Sequence, residues 1–201
     1  MTRIVSDRAN KTDQVVLLPS SLEDPTKAPP GSYRILIWTA CLSISAFFAA
    51  LMIAYVWRAG TGPYWQPVMF PPVLWLSTAL ILVSSGTLEA ARRMFRTGRW
   101  RLASNLFMVT AALGLLFLAA QLVAWWNLVQ QGAYMMENPH GAFFYIFTGL
   151  HGAHLIGGLV ALFVLVFGRK KRRETVDVTA YSWHFLTVLW LILFAVLREV
   201  S

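Results

Sequence analysis

Five long apolar stretches constrain this chain more than any other feature: about Ile35–Trp57, Pro72–Glu89, Leu102–Leu128, Ala142–Phe167 and Tyr181–Leu197. A bilayer core is roughly 30 Å thick, so a helix needs roughly 20 mostly apolar residues to cross it. Helix is the required form, because an open strand in lipid would leave its backbone N–H and C=O groups unpaired. The second stretch starts after Phe70-Pro71-Pro72, where proline fits because first-turn N–H groups have no intrahelical partner. Composition agrees: 57% of residues are hydrophobic and 13% charged, against roughly 45–50% and 25% in globular proteins. The expected fold class is an all-α polytopic membrane bundle of five transmembrane helices occupying residues 34–201. Residues 1–33 are polar, with Pro19, Pro25, Pro29 and Pro30, and show no signal-peptide pattern; they read as a mobile or surface-lying N-terminal tail.

The net charge of +8 suggests a nucleic-acid partner only until its placement is considered. Five Lys/Arg residues precede the first span, five lie between the second and third, and five between the fourth and fifth. Only Arg58 and Arg198 fall on the opposite side. This is the positive-inside pattern, which places the N-terminus inside and the C-terminus outside. It leaves no basic surface calling for nucleic acid. Aromatic residues gather near the span ends, as amphipathic rings do at the headgroup level. Cys41 is the sole cysteine, so neither an internal disulfide nor a C-x-x-C metal site is available.

The fourth span carries the most informative run, FYIFTGLHGAHLIGG from Phe144 to Gly158. Gly149, Ala153, Gly157 and Ala161 recur every four residues, with Gly152 and Gly158 alongside. Such a stripe lets another helix approach closely, and close packing is what joins helices in lipid. The expectation is a central packing helix that Ala153→Leu would disrupt. His151 and His154 lie on the same helix about 60° apart. Ionisable residues inside a membrane are functional candidates by default. The two readings are a metal or haem ligand pair and interhelical hydrogen bonding, with a proton-related role as a third. His184 sits near the basic end of the fifth span, about 5 Å deep against about 20 Å for His154 at ~1.5 Å rise per residue. One haem iron could not take both as axial ligands, and no further Cys, Asp or Glu lies at the depth of His151 and His154. Interhelical hydrogen bonding is therefore favoured, and no catalytic, cofactor or metal residue is assigned.

Glu89, at the inner end of the second span, can pair with Arg92 or Arg93 at helical spacing or approach His184. Arg92, Arg93 and Arg96, with Trp183, are candidate lipid-headgroup contacts. Met135, Met136, Glu137 and His140 in the third connection could in principle hold copper(I), but read as an ordinary loop.

The fourth-span motif resembles the hallmark helix of haem–copper oxidase subunit III, an aromatic stretch leading into T-G-x-H-G-x-H and paired glycines. Trp183–Phe194, WHFLTVLWLILF, is similar to the family's terminal W-H-F-x-D-x-x-W segment. Phe70–Ser85 and Leu113–Gln121 are weaker echoes in matching order. Five spans resemble the short bacterial form, which lacks the first two helices of the seven-helix version. The resemblance implies an accessory subunit with no haem or copper of its own, packed on catalytic subunit I, and with subunit II in the same complex. It also implies lipid between the helices, a lipid-filled cleft or V shape, and support of assembly and sustained proton-coupled oxygen reduction, with cytochrome c or quinol as electron donor, in the bacterial inner membrane. Two positions depart from the pattern: Ile44 and Thr187 stand where the family carries carboxylates, which bears on any proton-uptake role resting on them. A subunit-III-like partner of a nitric oxide reductase is the nearest alternative. A divergent non-oxidase membrane protein, such as a b-type cytochrome anchor or a small transporter, is more distant.

Overall fold

The computed structural model describes residues 32–61, 71–130, 139–168 and 172–200. Residues 1–31 of the expected tail and the Met135–Glu137 segment lie outside them, whereas Ser32 and Tyr33 open the first helix. All regular structure among the described residues is helical: α1 Ser32–Thr61, α2 Val73–Arg96, α3 Trp100–Gln130, α4 Pro139–Phe167 and α5 Arg173–Val200. Each is long and apolar enough to cross a membrane, so this is a five-helix membrane bundle. The helices outrun the apolar stretches, because a helix need not stop where the hydrocarbon does. The largest extension is at α5, which begins at Arg173 rather than Tyr181.

Between α2 and α3 only Thr97, Gly98 and Arg99 turn the chain. Gly98 has φ +79°, a left-handed conformation that glycine adopts without Cβ strain. The Gly98 N–H donates to the Phe95 carbonyl at 3.1 Å and Arg99 N–H to the Met94 carbonyl at 3.0 Å. This is the paired closure that satisfies carbonyls left over at a helix C-terminus. So short a link makes α2 and α3 an antiparallel hairpin packed along its length.

Helices α2, α3, α4 and α5 form a ring in chain order, each packed on its two neighbours, with α5 closing back on α2. Large side chains fill the centre: Phe117 of α3 meets Trp190 of α5 at 4.9 Å and 90° between ring planes, the edge-to-face geometry that aromatic quadrupoles prefer. Helix α1 stands outside the ring, packed among the described residues on α4 and α5. Its fully buried side chains are Phe48 and Tyr55, seven residues apart and so on one face. Phe48 packs on His154, and Tyr55 on Phe143 and Phe147.

Candidate functional site

Two polar regions stand out, one at the arginine-bearing end and one inside the ring. At the basic end, Glu89 and Arg92 of α2 face Asp177 and Tyr181 of α5. Arg92 Nε donates to Asp177 Oδ1 at 2.7 Å, its Nη1 to Glu89 Oε2 at 3.1 Å and its Nη2 to the Tyr181 hydroxyl at 3.1 Å. Arg96 Nη2 contacts both Asp177 oxygens, at 2.9 and 3.0 Å. Arg93 Nε reaches Glu89 Oε1 at 3.0 Å. The Arg92 side chain is only 12% exposed, so these charge-assisted bonds compensate a nearly desolvated guanidinium. One turn deeper, His184 Nδ1 lies 2.6 Å from Ser85 Oγ, and its Nε2 lies 3.7 Å from Glu89 Oε2. The options for Glu89 are thus realised together, as two arginine pairs and a longer approach to His184. The arrangement ties α2 to α5 by charge where apolar packing gives way to the interface.

These bonds alter the lipid-contact expectation. Arg92 is consumed by Glu89, Asp177 and Tyr181, whereas Arg93 stays largely outward and Arg96 half so. Trp183 is corrected outright. It is fully buried, because its face of α5 points into the ring, against Ser84 of α2, Gly114 of α3 and Gly158 of α4. No headgroup can reach its ring. Trp183 Nε1 donates instead to Ser84 Oγ of α2 at 3.1 Å. Its ring lies in a notch where a Cβ on Gly114 would come within 2.9 Å and one on Gly158 within 3.3 Å.

The glycine stripe is redistributed in the same way. Gly158 faces Trp183, Gly152 faces Leu118 and Gly149 faces Trp125. Ala153 and Gly157 are exposed, and a Cβ on Gly157 would meet nothing within 4 Å. The expectation that Ala153→Leu would disrupt packing within this chain is therefore corrected, since that part of the stripe faces away from the ring. Four-residue spacing aligns residues on a face without saying which face is inward.

Inside the ring, three indoles donate across helices: Trp183 as above, Trp190 to Thr78 Oγ1 at 3.0 Å and Trp125 to Thr148 Oγ1 at 2.8 Å. Gln121 Nε2 donates to Ser77 Oγ at 2.9 Å. The histidines behave differently from one another. His154 Nδ1 lies 2.7 Å from the Leu150 carbonyl, which can only accept, so Nδ1 carries the proton and the bond is intrahelical. His151 is fully buried between Phe117 and Trp190, and neither ring nitrogen has a hydrogen-bond partner among the described residues. The interhelical bonds expected of these two histidines are thus absent there, because the rings facing His151 offer no acceptor. Among the described residues, no group of three or more His, Cys, Asp or Glu side chains is placed to hold a metal ion. Ile44 is half-buried against the core, and buried Thr187 donates to the Trp183 carbonyl at 3.0 Å.

All these features lie on residues that match one family model, cytochrome c oxidase subunit III, over residues 33–199. The chain belongs to this family. A probable cytochrome c oxidase subunit 3 of Nocardia farcinica is 33% identical over 191 residues, covering 87% of this chain and 89% of the relative. One from Mycobacterium tuberculosis is 31% identical over 193 residues, covering 88% and 90%. The cytochrome c oxidase subunit 3 of Corynebacterium diphtheriae is 28% identical over 166 residues, covering 74% and 78%. As a subunit III, the chain is a multi-pass membrane component of a haem–copper oxidase complex.

For this subunit III, sequence reasoning missed three residues. Asp177 went unnoticed because it precedes the apolar stretch; continuing the helix backward from His184 through Tyr181 would have placed it on the same face at i, i−3 and i−7. Ser85 looked like an ordinary span residue. Gly114 had no repeating partner on α3, so only the packed structure shows that it houses Trp183.

Proposed function

We propose that this chain is the accessory, redox-centre-free subunit III of a cytochrome c-type oxidase, packed on the haem- and copper-bearing subunit I with subunit II nearby. It supports assembly, stability and sustained proton-coupled oxygen reduction. The observation that carries this reading is the family match running through all five helices, with homologues named as cytochrome c oxidase subunits. The outward Ala153–Gly157 surface supplies a low-profile helix face of the kind that packs closely on a partner helix in lipid. In this reading the N-terminus and the Glu89–Arg92–Asp177 network lie on the cytoplasmic side, and haem and copper belong to the partner.

Bound phospholipid belongs to the same proposal. A cavity of about 670 Å³ opens between α1 and α5, with Ile37, Trp38, Phe185 and Val188 as apolar walls and Asp177 and Tyr181 at its polar end. Its form suits an acyl chain with the headgroup at the basic end.

The test is affinity purification of the chain from its native membrane in mild detergent, with an absorbance spectrum, partner identification and lipid mass spectrometry. Co-purification with a large haem–copper subunit is the expected result. A nitric oxide reductase partner would move the assignment to that complex. Recovery alone, without haem, would overturn the subunit reading.

A further inference from the structure

One cross-section at the middle of the ring gathers polar groups from four helices. The Trp190 ring of α5 touches Phe117 of α3 and His151 of α4, at 4.9 and 5.2 Å between centroids. Its indole N–H donates to Thr78 of α2. Gln121 lies one turn from Phe117 on α3 and donates to Ser77, the neighbour of Thr78. Ser77, Thr78, Gln121, His151 and Trp190 therefore share one level of the bundle.

Within that level three buried atoms have no hydrogen-bond partner among the described residues: Gln121 Oε1 and both ring nitrogens of His151. The amide oxygen is an acceptor, and a neutral imidazole supplies one donor and one acceptor. Buried polar groups are nearly always satisfied by protein or ordered water. Here one of the two Gln121 amide N–H groups goes to Ser77 and the Trp190 indole N–H to Thr78, while the Ser77 and Thr78 hydroxyls both donate to the Leu74 carbonyl, so none of these bonds serves the orphaned atoms. Donor, acceptor and burial are those of a site for a small neutral hydrogen-bonding molecule, and buried waters characteristically make two to four such bonds.

We propose that the bundle binds an ordered internal water at this level, donating to Gln121 Oε1 and hydrogen-bonded to the ring of His151. This water, rather than a metal or a second side chain, is the partner of the buried histidine. It joins α3 to α4 one turn from the Trp125–Thr148 bond that already links them. The inference rests on the fold and stands independently of the complex the subunit serves.

The decisive measurement is a density map of the intact membrane complex at a resolution that shows waters. Density within hydrogen-bonding distance of both Gln121 Oε1 and a His151 nitrogen is the expected result. Rings packed with no density between them would overturn the proposal and leave His151 N–H directed at the Phe117 or Trp190 face, a weaker contact. A double-mutant cycle in the purified complex provides a second measurement. With a shared water, Gln121→Leu and His151→Phe each lower the thermal midpoint, and the double variant falls by clearly less than the sum. Strict additivity would count against the water. Should the variants fail to assemble, the map of the unaltered complex decides alone.

Discussion

Helices α1 and α5 have the same task in sequence terms and opposite fates in the bundle. Both are long and apolar enough to cross a membrane, yet 6% of the most apolar window of α1 is buried in the chain against 50% for α5. Trp38 and Trp57 of α1 are 66% and 69% exposed, whereas Trp183 and Trp190 of α5 are fully buried. Lipid is as apolar as a leucine side chain, so hydrophobicity commits a helix to the membrane without committing it to the interior. What draws α5 inward is shape and hydrogen bonding: glycine notches on α3 and α4, hydroxyls on α2 that accept its indole N–H groups, and an ion network at its start. Helix α1 has only the Phe48 and Tyr55 face with which to dock.

The comparison is broken most severely by removing a ring from α5. Trp183→Ala empties the notch between Gly114 and Gly158 and abandons Ser84, and should lower the unfolding free energy in detergent by about 3–5 kcal/mol. Trp57→Ala on α1 should change it by less than about 0.5 kcal/mol. Equal losses would mean that α1 is more than a docked helix. Filling the notch is the complementary change. Gly114→Val places a Cβ where the nearest Trp183 atom is 2.9 Å away and should cost about 1–3 kcal/mol, whereas Gly157→Val meets open space and should be close to silent in the same assay.

The ion network sharpens the contrast at one end of α5. Asp177→Asn removes the carboxylate that Arg92 and Arg96 share, and a loss of about 1–3 kcal/mol is expected, the cost of leaving a charged group in a mostly buried site without its partner. Chemical denaturation of the purified chain would measure it, and an unchanged midpoint would show that Glu89 and Tyr181 suffice for Arg92. The smallest effect belongs to the outward face of α4. Ala153→Leu should leave the chain's own stability within about 0.5 kcal/mol while reducing recovery of partner subunits in a pull-down. Full recovery would place the partner on another face.

Much of this was legible in the residues. Apolar length is set by bilayer thickness, so the five spans could be counted directly, and the fourth-span motif led to the correct family. Which side of each helix faces inward could not be read, because an all-round apolar helix in lipid carries no amphipathic signal. That is why Trp183 read as an interfacial ring and Ala153 as a buried contact. The same ambiguity hid Asp177, whose relevance depends on α5 continuing two turns beyond its apolar stretch.

By itself, then, the sequence determined that the chain lives in a membrane as five helices of one family, since transfer into hydrocarbon depends on composition over roughly 20 residues. Only the tertiary structure decided that Gly114 and Gly158 house Trp183, that Asp177 secures Arg92, and that His151 ends between two aromatic rings. Those outcomes depend on which surfaces of different helices fit together, and fit is a property of pairs that no single segment carries.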